Sequence, residues 1–300
     1  MPALQALKDA KPVLLRSALL LAGGYTFYHL WRHLMASQRG SGTRENVYET
    51  QRALNEYLLF HFGSSQELSL YINDPVALQN FPQRCAQECI KYFTQQTGIP
   101  CRALDIGCAV GRASFEMARV FQEVVGIDYS LSFVTACNQL KEKGQLPYCA
   151  LTEGELGTQH TAVVPTDIDR TRCFFRQGDA CNLPSDLRSF GCVLAGNLIC
   201  RLPDPFAFLH RLPELVAPGG ILVITSPYTW LEEFTPKSRW LGGYKDVSGN
   251  EVRGFDTMKR VFSPHFELLA EKNEPIVIRE TARKHQWTVA HMTIWRRGTF

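Results

Sequence analysis

The sequence lacks a strong excess of charge. Its 32 Lys and Arg against 29 Asp and Glu leave a formal net charge of +3. That is too small to imply binding to nucleic acid, and no run of Lys and Arg is interleaved with aromatics. It also lacks any CxxC pair. No combination of its ten cysteines and eight histidines has zinc-ligand spacing, so no metal is expected. Cysteine is absent beyond Cys200, and several of the ten lie inside apolar runs, where Cys acts as a small buried hydrophobe. That usage excludes a disulfide framework and points to a reducing, intracellular compartment. There is no internal repeat and no long low-complexity tract. What is there is ordinary for a globular chain, 45% hydrophobic and 20% charged over 300 residues, which suffices for a sizeable core.

One apolar run stands apart. Residues 13–31 (VLLRSALLLAGGYTFYHLW) follow Lys8 and Lys11 and precede Arg32, Arg39 and Arg44. As a helix they would span about 28 Å, enough for a bilayer core. Arg16 would snorkel, and Tyr25, Tyr28 and Trp31 would suit an interface. Three readings stay open: a membrane anchor, a mitochondrial presequence (Asp9 is the only acid before Glu45) or a helix packed on the fold. Residues 1–45 are therefore expected to be a hydrophobic segment and linker, and 46–300 the functional domain. Within that domain, 46–100 form a helical cap and 101–300 the core.

The cap predicts two helices. Val47, Leu54, Leu58 and Phe62 recur near a period of 3.6 up to Gly63, and a second helix runs over 82–97. From Cys101 strands and helices alternate. Strands are expected at CRALDIG, EVVGID, RCFFRQ, GCVLAGN and PGGILVITSP, with helices at RASFEMARVF, LSFVTACNQLKEKG and PFAFLHRLPELV. This alternation implies a mainly parallel sheet covered on both faces. Residues 145–171 break the rhythm and read as an inserted loop or small flap. PIVIRE and TVAHMTIWR suggest an antiparallel pair at one edge.

The chemistry gathers at strand ends. Asp105, Gly107 and Gly111 form a glycine turn between a strand and a helix, whose amides suit a polar or anionic group. A dinucleotide fingerprint would place glycine where Asp105 stands. A carboxylate there disfavours a pyrophosphate and favours a ligand with an ammonium group. Asp128 ends the second strand and can accept both ribose hydroxyls. Gly178, Asp179 and Ala180 follow the third strand, where an adenine edge would lie. Asn197 ends the fourth. Cys108 and Tyr129 flank these positions and join the candidate cofactor set, with S-adenosylmethionine as the cofactor.

Over 101–226 this pattern resembles the class I methyltransferases. The resemblance implies a Rossmann-like α/β fold, with a mainly parallel seven-stranded sheet, helices on both faces and an N-terminal helical lid. A closer likeness covers 46–296. YETQRALNEYLLFHFG (48–63), FPQRC (81–85), LDIGCAVGRASFEMAR (104–119), GDACNL (178–183), SPYTWLEEFTP (226–236), WLGGYKD (240–246) and VIRETARKHQ (277–286) together resemble the methyltransferase domain of the ovothiol-synthesis enzyme. That family implies N-methylation of the imidazole of a small, thiol-bearing histidine derivative. Its iron-dependent domain has no counterpart here, so only the methyl-transfer step is implied. A different acceptor such as protein histidine, or a membrane-tethered scaffold without catalysis, stays open beside it.

Methyl transfer mainly needs alignment of donor and acceptor and exclusion of water. Asn197, Tyr228 and Glu280 are the candidate catalytic residues. Tyr48, Tyr57, Trp230, Glu233 and Arg279 are candidates for the acceptor, with Arg279 for a carboxylate and the aromatics for the ring. Arg84 is the candidate for the methionine carboxylate. His61 reads as a packed helix histidine rather than a base.

Overall fold

The computed structural model describes residues 47–69, 71 and 80–299. The apolar run at 13–31 lies outside these residues. Among the described residues, no helix is long and apolar enough to cross a membrane.

The cap begins with a 3-10 turn, Val47–Glu49, and helix α1, Gln51–Phe62. Thr50 opens α1 by accepting from the Ala53 amide. Ser64 and Glu67 form a reciprocal capping box on the single turn α2, Ser65–Leu68. Helix α3, Phe81–Tyr92, is shorter than the expected 82–97. Phe93 leaves it to pack its ring on Phe121, with centroids 4.6 Å apart.

The core alternates as expected. Strand β1 is Arg102–Ile106, α4 is Arg112–Met117, β2 is Glu123–Asp128 and α5 is Leu131–Lys143. Helix α4 stops four residues short of its expected end, because 118–120 turn and Phe121 drops into the core. Residues 145–171 hold more order than a loop. They make the antiparallel hairpin of β3, Gln145–Glu153, and β4, Leu156–Val163, which stands apart from the main sheet. Next come β5, Cys173–Gln177; β6, Phe190–Gly196; α6, Pro205–Leu215; and β7, Val216–Ser226. A small ribbon of β8, Tyr244–Lys245, and β9, Glu251–Val252, leads into α7, Gly254–Phe262. None of these three is expected from the sequence. The chain closes with the long pair β10, Phe266–Arg279, and β11, His285–Arg297.

The sheet has seven strands in the order β5-β2-β1-β6-β7-β11-β10. The first five are parallel, and β11 runs antiparallel to both its neighbours. Strand period decides which face each side chain joins. Ala103, Cys192, Leu194 and Val223 enter one apolar cluster, with α1, α3, α4 and α5. Leu104, Val193, Ala195 and Leu222 enter the other, with α6 and α7. The fold is the Rossmann-like sandwich of the class I methyltransferases. Strand order reverses between β1 and β6, and an open α/β sheet offers its crevice outside the carboxyl ends at that point.

Candidate functional site

A cavity of about 890 Å³ occupies that crevice. The ends of β1, β2, β5 and β6 make its floor, the cap helices and β10–β11 its walls. The cap is fastened there by its own first turn. Both Glu49 carboxylate oxygens accept from the first amides of α5, Leu131 at 2.8 Å and Ser132 at 3.1 Å. Ser130 Oγ donates to the Tyr48 carbonyl.

Asp105 ends β1 and is 2% exposed. Burial pushes its carboxyl up to about 7, against the pull of Ser114, whose hydroxyl donates to Oδ2 at 2.6 Å. Gly107 takes a φ of +75° in the turn that follows. Four amides of this turn are already used. Gly107 and Cys108 donate to the Ile127 carbonyl, Ala109 to Asp128 Oδ2 and Gly111 to the Cys108 carbonyl. A pyrophosphate would find no open donor among these four. Asp128 accepts from Ala109 and Ser130 through different oxygens, which leaves lone pairs on both for a diol. Asp179 Oδ1 accepts from the Cys181 amide at the far end, beside Ala180. This donor set fits S-adenosylmethionine: an acid for an ammonium group, an acid for a ribose and a polar edge for an adenine.

Asn197 sits in the left-handed region at a φ of +52°, which Asn tolerates better than most residues. Thr225 Oγ donates to its Oδ1 at 2.9 Å, so the NH2 half of the amide is the part presented to a ligand.

Of the residues singled out by sequence, Tyr48, Tyr57, Asp105, Gly107, Cys108, Asp128, Tyr129, Asp179, Ala180, Asn197 and Glu233 all line this cavity. Six others do not. Gly111 is buried under Cys137 and Phe175, where a Cβ would stand 3.0 Å from both, so it serves helix packing. Arg84 is bound to Glu274 at 2.8 Å and to the Pro275 carbonyl at 2.6 Å. Tyr228 turns away and meets His291 Nδ1 at 2.9 Å. Trp230 is core beside Leu241 and Met258. Pro227 and Thr229 line the cavity in their place, because just past the end of β7 Tyr228 takes a φ of +52° and the Trp230 amide folds back onto the Tyr228 carbonyl. On β10 strand alternation moves Arg279 out, with Ile276 and Ile278 facing in. Arg279 is buried and donates to the carbonyls of Glu67 and Leu151, pinning β10 to α2 and β3. Glu280 is held below the usual carboxylate range by Lys284 and Gln286. It acts at one remove, accepting from Gln286 Nε2 at 2.8 Å, and Gln286 lines the cavity.

Among the lining residues that sequence reasoning missed are Arg201, Gln286 and Thr288. Arg201 Nη1 donates to the carbonyls of Cys200 and Thr229, and its guanidinium lies 4.8 Å over the Phe234 ring and beside the Tyr48 hydroxyl. The signal was a basic residue four positions past Asn197, in the same strand-end loop. Tyr48 and Tyr57 meet edge to face at 5.9 Å, and burial raises both phenols above their usual range.

Residues 104–224 match the family described as "Methyltransferase domain". The ubiquinone biosynthesis O-methyltransferase of Azorhizobium caulinodans is 29% identical over 126 residues, 42% of this chain and 40% of that protein. Its namesake in a Bradyrhizobium species is 27% identical over 142 residues, 46% of each. The chain thus spans less than half the length of these curated relatives. Among solved structures, the cyclase SpnF superposes with a TM-score of 0.52 at 15% identity, covering 84% of this chain and 95% of that one. That likeness concerns the fold alone. Residues 104–224 are a class I methyltransferase domain, and S-adenosylmethionine is its cofactor.

Proposed function

We propose that the chain is an N-methyltransferase acting on the imidazole of a small, histidine-derived, thiol-bearing acceptor. One observation carries this reading. The wall opposite the cofactor strands brings a guanidinium (Arg201), a carboxylate (Glu233) and a tyrosine pair (Tyr48, Tyr57) around one space. Those are the partners that an amino acid with a flat ring requires. The family resemblance of the whole segment 46–296 supports it.

S-adenosylmethionine supplies a methyl group already activated as a sulfonium. The acceptor's neutral ring nitrogen is a competent nucleophile near pH 7. Its lone pair forms the new N–C bond as the S–C bond breaks, and the ring N–H proton then leaves to solvent. Arg201 holds the acceptor carboxylate, and Glu233 holds its amino group. Tyr48 and Tyr57 flank the ring and favour the cation that forms on it. The Asn197 amide and the Gln286–Glu280 pair orient the polar edge, while Phe60, Ile276 and Ile278 exclude water.

A screen with labelled methyl donor tests the reading. Label is expected on imidazole amino acids and weakly on an imidazole amine that lacks the carboxylate. Arg201→Ala should raise KM for the amino acid about ten-fold, on the order of 1.4 kcal/mol, and leave KM for the amine unchanged. No label on any imidazole would remove it. The name of the curated relatives favours a second reading, transfer to a hydroxyl, and label confined to phenolic acceptors would establish that instead.

The run 13–31 is proposed as a membrane anchor. Fractionation of cells expressing the chain with and without residues 1–45 tests this: the full chain should pellet with membranes and the shortened one should not. Full-length chain in the soluble fraction would dismiss the anchor.

A further inference from the structure

On the α7 side of the sheet, three side chains form a hydrogen-bonded series that the scheme above does not use. The Tyr228 hydroxyl meets His291 Nδ1 at 2.9 Å, and His291 Nε2 lies 3.4 Å from the Glu271 carboxylate. A carboxylate only accepts. It therefore favours the hydrogen on Nε2 and leaves Nδ1 to accept from Tyr228. Burial raises the Tyr228 phenol above its usual range, which keeps it a donor. The Phe255 ring meets the imidazole edge to face, with centroids 4.6 Å apart. The backbone of His291 is fixed as well, because β11 pairs it with Ser226, the last residue of β7.

What Tyr228 holds gives this series its meaning. Tyr228 lies in the left-handed region at a φ of +52°, where a bulky aromatic is strained unless its surroundings hold it there. Its amide donates to Ser226 Oγ at 3.0 Å, and the Trp230 amide donates to its carbonyl at 3.0 Å. The bend brings Thr229 to the cavity, and the Thr229 carbonyl accepts from Arg201 Nη1 at 3.0 Å. Arg201 is the cation assigned above to the acceptor carboxylate. A guanidinium on a long side chain needs a fixed acceptor on one N–H to keep its others aimed at a ligand. We propose that His291 is a positioning residue for the acceptor. Through the Tyr228 hydroxyl it fixes the bend, and through the Thr229 carbonyl the bend fixes Arg201. His291 itself stands outside the cavity lining and touches no reacting atom. The inference rests on the acceptor reading proposed above.

The test compares two acceptors on the full chain: an imidazole amino acid, and the imidazole amine that lacks its carboxylate. Tyr228→Phe removes only the hydroxyl. His291→Phe keeps a ring but removes the acceptor nitrogen. Each should raise KM for the amino acid about five-fold, the contribution of one neutral hydrogen bond. Each should leave kcat, KM for the amine and Kd for S-adenosylmethionine within about two-fold. His291→Asn returns an acceptor near the Nδ1 position and should recover most of the loss. Added to Arg201→Ala, either Phe variant should raise KM no further. An unchanged KM for the amino acid, equal rises for both acceptors, or a further rise on top of Arg201→Ala would overturn the inference. If His291→Phe fails to fold, Tyr228→Phe decides alone. Arg201→Ala with an unchanged KM would bring down the acceptor reading. A raised KM in Arg201→Ala beside an unchanged one in Tyr228→Phe would bring down this inference alone.

Discussion

Asp105 carries the pH behaviour of the site. Its folded pKa of about 7 lies above the unfolded value of about 3.9. The native state therefore binds this proton more tightly than the unfolded chain does. Asp105 thus costs stability progressively as pH rises from about 4 through about 7. Cofactor binding has the opposite sign, because an ammonium group prefers the ionised carboxylate. Affinity for S-adenosylmethionine should rise between about pH 6 and about pH 7.5, with proton release seen as a buffer-dependent heat of binding. A flat Kd with no proton release would show that Asp105 does not face the ammonium. Asp128→Ala should raise the cofactor Kd by about ten-fold or more, since it removes an acceptor of both ribose hydroxyls; isothermal titration reads it directly. At this scale the acids were legible in the sequence, because strand ends and turn glycines fix their positions locally. Arg201 was not. Its meaning comes from a wall built by segments more than a hundred residues apart.

Elements carry a different lesson. Existence and order of the strands followed from apolar runs, and the parallel core matched those runs closely. Facing did not follow. Arg279 lies one residue out of phase with Ile278, which lines the cavity, and a one-residue offset on a strand reverses the side, while Tyr228 and Trp230 lie past the end of β7, where the left-handed Tyr228 redirects the chain. Arg279 belongs to the framework. Replacing it with Met leaves the half-buried Glu67 and Leu151 carbonyls without their donor. Arg279→Met should destabilise the fold by about 1–3 kcal/mol in urea unfolding and leave the acceptor KM unchanged. A raised KM at intact stability would return Arg279 to the site. Gly191 on β6 is a second structural test. A Cβ there would stand 2.1 Å from the Pro100 carbonyl and 2.8 Å from the Phe93 ring. Gly191→Ala should cost about 1–3 kcal/mol through overpacking, and a melting temperature equal to that of the unaltered chain would refute the contact. Helix α7 escaped sequence reasoning although Phe255, Met258 and Phe262 recur at helical spacing, because it is only nine residues long and no side chain caps its start.

The whole molecule joins a cofactor half and an acceptor half across one crevice. The cofactor half is local in sequence, concentrated in 105–128 and 178–180. The proposed acceptor half is drawn from the cap, the loop after β6 and the end of β10–β11, so its residues come together only once the chain folds. A cyclase shares the architecture, which shows that the sheet alone does not set the reaction. The central claim concerns where the methyl group goes. Carbon-13 methyl donor, the full chain and a thiol-bearing histidine derivative would be incubated together and the product read by NMR. Coupling of the labelled methyl to imidazole ring carbons is predicted. A methyl found on sulfur, or no methylated imidazole at all, would contradict the account.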